Sequence, residues 1–514
     1  MRAPAKVRRV TVAALLATLL LLSACSRGTA PEPGTVNFMI ESMPANLDPR
    51  IGTDSQSQHL DALLFSSLVA INDNMEIIPD LAETWEQPDP LTYVFHLRHG
   101  VRFHDGRLLS SADVKFTFDS ILTGAVKTPK RGSFRLLASV NAPDDSTVVL
   151  RLREPYASFL WSLARPAIGI VPRDAGAEVA RHPIGTGPFR FVSATTDEEV
   201  VLERNPSYFG AAPAIERVRF RIVPDATVRA LELRKGTADI ALSSLSPDTA
   251  LALSSDPQIE VTQQPGTVLG YLVFNFDDPA LSRPEVRQAL ASATDRVTLI
   301  RYLLRGQARI ADSLLPPNHW AFDPSAHQPD YDPARAERLL DAAGYPRGPD
   351  GIRLRLTLKT STDESARLLG AVLQDQWKRA GILLELRPLE FATFYSDVTH
   401  GSFQIATLRW IGANNDPDIF EYVFSSHKMP PDGANRGHYR NPALDALLDE
   451  ARVESDREKR RAILSRIQQL VAGDLPYLNL WYLDNVCVHR RRVSHVQLSP
   501  SGSYDFLEGI ALLE

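Results

Sequence analysis

Strand-like and helix-like segments alternate from Thr35 to the C-terminus of this chain, with no repeat and no low-complexity stretch. That alternation confines it to the α/β class. Thr92–Leu97 (TYVFHL) and Thr147–Leu152 (TVVLRL) are rich in β-branched and aromatic residues, the composition of strands. Val218–Val223, Val268–Phe274, 353–358 and 403–408 continue the series. Helices are marked by their ends. Ser282-Arg283-Pro284-Glu285 reads as a capping box, a hydroxyl followed three residues later by a glutamate. Asp332-Pro333 supplies an N-cap and a proline at the first helical position, and Gly344 closes that helix. Glu364–Ala380 ends at Gly381, and Pro442–Glu454 and Asp456–Ala472 form two amphipathic helices in succession.

The N-terminus sets the compartment. Arg2, Lys6, Arg8 and Arg9 precede an apolar run, Val10–Leu22, that is interrupted only by Thr11 and Thr18. Thirteen residues fall short of the ~20 needed to span a bilayer but suit the apolar region of a secretory signal. Leu22-Ser23-Ala24-Cys25 then resembles a bacterial lipobox, which implies cleavage before Cys25 and its acylation. Residues 1–24 are expected to be removed, and 25–34 (Pro- and Gly-bearing up to Gly34) to act as a lipidated tether. Cys487 is then the one remaining thiol, so no internal disulfide can form and the cores alone must hold an exported chain together. Loss of the four basic signal residues takes the formal charge from −6 to −10. A net acidic chain lacks the basic stripe that nucleic acids require, so no nucleic-acid partner is expected.

Motifs for chemistry are missing. There is no G-x-S-x-G elbow, Cys487 has no catalytic signature, and Pro188 and Phe189 interrupt Gly185-Thr186-Gly187 as a phosphate loop. His96, His99 and His104 are not spaced to share a face, so neither a metal nor a cofactor is expected. Arg409–Asp418 (RWIGANNDPD) is the most informative stretch. Gly412 and two asparagines let a ligand approach the backbone closely, and Trp410 offers a flat pocket wall. Asp416 reads as an N-cap with Pro417 at the first helical position.

A dozen motifs in order then resemble family 5 of the extracellular solute-binding proteins. They include Leu81-Ala82-Glu83-Thr84-Trp85, Tyr93–Arg98, Val101–Gly106, Ser111-Ala112-Asp113-Val114, Pro183–Phe189 and Arg204–Tyr208. Tyr331-Asp332-Pro333, Ala343-Gly344-Tyr345, Trp410 and Asp416-Pro417-Asp418 complete the set. The resemblance implies a two-lobed periplasmic-binding-protein-like fold of the large, three-subdomain type. One lobe would take 35–48, 182–262 and 478–514, with 49–181 packed on it, and the other would take 263–477. The chain would cross near 265–274 and 476–481, natural hinges for closure around a ligand. The resemblance also implies no enzymatic activity. It implies instead a monomeric, membrane-anchored periplasmic protein that binds a peptide-like solute and hands it to an ABC permease and its ATPase. Ligand contacts are expected from Glu41, Ser42, Met43, Trp410, Ile411, Gly412, Ala413, Asn414 and Trp481.

Peptide binders of this family carry an aspartate three residues after the tryptophan, pairing with the ligand's α-ammonium. Here that position is Ala413. A buried ammonium without a carboxylate is costly, so either another acid such as Glu41 substitutes, or the ligand has no free amine there. Non-peptide solutes (an opine, an oligosaccharide, an amine-blocked peptide), a receptor without transport, and an exported hydrolase are the alternatives.

Overall fold

The computed structural model describes residues 32–164, 167–412 and 415–513. Two strands organise it. Ile259–Phe274 runs for 16 residues and Tyr477–Arg490 for 14, paired antiparallel along nearly their whole length. Their burial explains their composition. The N-terminal half of Ile259–Phe274 mixes exposed and buried residues, whereas Leu269–Phe274 is buried throughout. In that second half successive side chains point to opposite faces and each face meets a core. Leu269, Tyr271 and Val273 enter one cluster with Phe420, Phe424 and Tyr477. Leu272 and Phe274 enter another with Leu290, Leu358, Leu373 and Trp377.

Both strands belong to one eleven-stranded sheet that spans the molecule. Beside the C-terminal half of Ile259–Phe274 lie Ile405–Trp410, Leu354–Ser361 and Ile382–Leu389, of which the last two run parallel. Beside the C-terminal half of Tyr477–Arg490 lie Ile240–Leu242, Thr35–Ile40, Arg217–Ile222, Glu199–Arg204 and Phe189–Thr195. That end has its own cores, with Phe38, Phe220 and Tyr504 packed ring on ring and Met39, Leu233 and Val488 on the opposite face.

Pairing breaks where the two halves meet. Gln264 pairs with Asn485 and Val268 with Leu483, leaving Pro265–Thr267 outside the ladder. Proline has no N–H to offer a ladder, and such a bulge bends the strand. A Cβ on Gly266 would lie 2.3 Å from the Leu483 carbonyl oxygen, so only glycine allows the strands to pass this closely. Arg309 spans the break, donating to the Gly266 carbonyl (2.7 Å) and pairing with Asp484 (3.2 Å). Leu478, Leu480 and Trp481 pack in the core of the second half, and the strand changes core only beyond Leu483.

A separate four-stranded antiparallel sheet, in the order Ala82–Asp89, Thr92–Leu97, Thr147–Leu152 and Leu137–Asp144, has a core built on Phe95, Phe118, Phe134 and Phe159. The helix Ser55–Leu64, although close to this unit in sequence, buries Leu60, Leu63 and Leu64 in the core around Phe38. Gly185 and Gly187 explain why: Gly187 N–H donates to the Leu64 carbonyl (3.0 Å), and a Cβ on Gly185 would stand 2.0 Å from the same oxygen.

Of the caps expected from sequence, the one at Asp332 is made and the one at Ser282 is not. Asp332 accepts from Arg335 N–H at 2.8 Å ahead of the helix Pro333–Ala342. The box expected at Ser282 is not made. Pro284 occupies the first turn, so the cap falls on Arg283, and Ser282 Oγ donates to the Pro279 carbonyl instead. The capping box that does form joins Ser110 and Asp113, ahead of the helix Ser111–Leu122.

Candidate functional site

In open α/β sheets, ligands bind beyond the carboxyl ends of the strands, where loops rather than side-chain cores cap the layer. Two such ends carry the candidate residues. Thr35–Ile40 leads directly into Glu41, Ser42 and Met43, and Ile405–Trp410 leads into Ile411 and Gly412. Ser42 is exposed and Met43 packs partly against the core around Phe38. Ile411 is 69% exposed, the most open large apolar side chain among the described residues. Gly412 has φ +73°, with open space where a Cβ would stand. Ala413 and Asn414 lie outside the described residues, as does Cys25.

Glu41 is not a free acid. Arg229, itself buried, donates to its carboxylate at 3.2 Å and to the Val223 carbonyl at 2.6 Å. An ammonium arriving at Glu41 would have to compete with a guanidinium already held there.

The two tryptophans are not brought together. Trp410 pairs with Leu269 and Trp481 with Gly270, so the two-residue period of the strand places them on opposite faces. Trp481 is 6% exposed, and its ring lies where a side chain on Gly270 would clash. Trp410 is 9% exposed and stacks almost parallel to Tyr271 (8°, centroids 6.1 Å apart). Tyr422 meets its edge at 6.3 Å, and the Arg436 guanidinium lies 5.2 Å over its ring.

Asp416 and Asp418 depart from the simple cap reading. The helix begins at Ile419, two residues later than expected, with no side-chain cap bond. Asp416 accepts from Asp418 N–H at 3.0 Å and from Ser158 Oγ at 2.8 Å, the latter 258 residues distant in the chain. Asp418 pairs with Arg460 at 2.7 Å, and the same Arg460 nitrogen donates to Ser158 Oγ at 2.7 Å. Both acids therefore build a junction between the four-stranded unit and the second half of the main sheet. Around it, Ala157 N–H donates to the Arg452 carbonyl, Arg452 pairs with Glu154 at 2.9 Å, and Arg457 pairs with Glu76 at 2.5 Å. Burial first, and then the neighbouring Asp418 charge, push the Asp416 carboxyl up to about 7, against the pull of Arg460.

Among the described residues no three His, Cys, Asp or Glu side chains converge on a metal position. His96 is half exposed near Glu86, and both ring nitrogens of His104 are engaged, with Gly185 N–H and the Gly187 carbonyl. Burial lowers His104 to about 4, which keeps it a neutral structural ring. Cys487 is fully buried, and burial raises its thiol pKa. No helix among the described residues is long and apolar enough to cross a membrane.

Comparison with known proteins agrees with this geometry. Residues 76–429 match the sequence model of the bacterial extracellular solute-binding proteins, family 5. The heme-binding protein A of Haemophilus influenzae is 28% identical over 97% of this chain and 98% of its own length. The dipeptide-binding protein of Escherichia coli is 27% identical over 95% of this chain and 96% of its own length. Among solved structures, NikA from Brucella suis, in complex with Fe(III)-EDTA, superimposes with a TM-score of 0.84 at 26% identity. That match covers 94% of this chain and all of NikA.

Proposed function

The chain belongs to the bacterial extracellular solute-binding proteins of family 5, and from that premise we propose that it captures a peptide-like solute between its two lobes and delivers it to an ABC permease. The observation that carries this reading is the double crossing at Gln264–Val268 and Leu483–Asn485. Two paired strands with their ladder broken at one level, and a core on either side of the break, make a hinge between two rigid bodies. We assign 35–67 and 171–264 to the first lobe together with 485–513, and 268–483 to the second. Residues 68–170 form the unit packed on the first lobe. In this reading Glu41, Ser42 and Met43 after one strand, and Trp410, Ile411 and Gly412 at the end of another, contribute the two walls of the cleft, and Trp481, buried in the core of the second half, supports the hinge.

Pools of di- and tripeptides, both free and N-acetylated, are expected to reduce the radius of gyration in small-angle scattering, because closure brings the lobes together. Identical profiles with every pool would overturn a closing peptide cleft. The lipobox reading supports a protein held at the membrane by an acylated Cys25. Cys25→Ser is expected to move it from the membrane fraction to the soluble fraction or leave its signal uncleaved. A wild-type protein that is fully soluble and cleaved elsewhere would refute the anchor.

A further inference from the structure

Resting on this cleft reading, we propose that Arg436 is the residue that receives an anionic group of the solute, a carboxylate lodged between Trp410 and Tyr395. A guanidinium carries five N–H groups and no acceptor. Arg436, although 92% buried, makes one side-chain hydrogen bond, to the Tyr395 hydroxyl at 3.0 Å. It lies against the rings of Trp410 (5.2 Å) and Tyr395 (5.3 Å), and no carboxylate among the described residues pairs with it. Every other arginine at least 92% buried among the described residues holds an acid or two carbonyls: Arg287 has the Asp474 and Leu281 carbonyls, and Arg460 has Asp418. Arg50 has Asp48, Arg229 has Glu41 and two carbonyls, and Arg296 has Asp312 and two carbonyls.

Three further groups around Arg436 are also unsatisfied. Trp410 Nε1, Tyr271 Oη and Tyr477 Oη are buried and make no hydrogen bond of good geometry. Both phenols face the guanidinium, and they stack at 4.2 Å with 12° between the ring planes. Indole N–H and guanidinium can only donate, and a phenol donates readily to a charged acceptor. The guanidinium and indole N–H groups outnumber the two phenol oxygens that could accept from them, and one oxyanion would supply the acceptor that the cluster is short of. Access is from the cleft side, where Tyr395 (40% exposed), Tyr422 (46%) and Ile411 (69%) are open.

The acids near the cleft point the same way. Glu41 is held by Arg229, Asp416 by Ser158 and Asp418 by Arg460, and position 413 is alanine. The uncommitted charge at this end of the cleft is positive. The solute class that fits is a carboxylate-bearing molecule with no free ammonium beside Trp410.

The test uses the Trp410 indole resonance, assigned with Trp410→Phe, and titrates acetate against acetamide at constant ionic strength. Acetate is expected to shift that resonance saturably and acetamide to leave it in place. Arg436→Gln should weaken the acetate response about tenfold or more, the range for one charge-assisted hydrogen bond. Arg436→Lys, which keeps the charge but loses the planar fork, should weaken it less and guards against a variant that fails to fold. No saturable acetate shift, equal shifts with acetamide, or an acetate response unchanged in both variants would overturn the assignment. The cleft itself is judged separately by scattering. Compaction with peptides but no acetate shift sinks Arg436 alone, and an acetate shift without compaction by any pool sinks the closing cleft.

Discussion

Replacing Arg460 with leucine is expected to destabilise the second lobe by about 3–5 kcal/mol, the range for stripping one partner from a buried ion pair. Arg460 is 5% exposed on the helix Arg457–Asp474. It donates to the Ala451 carbonyl (3.0 Å), to Asp418 (2.7 Å) and to Ser158 (2.7 Å), tying a neighbouring helix, the loop after Trp410 and the four-stranded unit to one side chain. Leucine would fill part of the volume but leave the Asp418 carboxylate largely buried without a counter-charge, and leave a carbonyl and a hydroxyl without their donor. Guanidinium chloride unfolding should show a lower midpoint with little change in slope. Adding Asp418→Leu to Arg460→Leu should recover a large part of the loss, because the penalty lies mainly in the stranded charge. A loss below about 1 kcal/mol, the level of exposed pairs, would show that water reaches this junction freely.

What the sequence reveals divides by range. Thr92–Leu97 and Thr147–Leu152 are found at their expected bounds because local composition alone decides a strand whose core face is set by alternation. Asp332 and Pro333 are legible for the same reason, since a cap involves a side chain and a backbone N–H three residues on. The Ser282 box misleads because the proline beside it moves the cap by one residue, a competition between two local signals. Trp410 is singled out in the sequence by the Gly- and Asn-bearing stretch that follows it. Its surroundings are not, because Tyr271, Tyr395, Arg436 and Tyr477 reach it from separate strands, a helix and a loop. Glu41 looks free in sequence, and the Arg229 that claims it lies 188 residues away. Gly185-Thr186-Gly187 could be excluded as a phosphate loop, but its role against the end of the helix Ser55–Leu64 needs the fold to be seen.

The junction at Ser158 is expected to make closure sensitive to pH, and the sign follows from Asp416. Its carboxyl is raised from an ordinary value near 3.8 to about 7 when enclosed. The enclosed state therefore binds the proton more tightly than the open one, and linkage makes it weaker as pH rises. Its full strength is present below about pH 4 and is lost progressively up to about pH 7. Each unit of the shift corresponds to about 1.4 kcal/mol, and the residue's partial exposure reduces the total to a few kcal/mol. Ser158, Asp418, Arg460 and Tyr156 surround Asp416. Arg460 is the one cation among them, and it already serves Asp418. Small-angle scattering of the ligand-free protein should therefore show a more compact particle at pH 5 than at pH 8. Asp416→Asn, which keeps an acceptor for the Ser158 hydroxyl but cannot ionise, should stay compact at both. A wild-type radius that does not change with pH, or an Asp416→Asn protein that still expands on going from pH 5 to pH 8, would remove Asp416 as the titrating group.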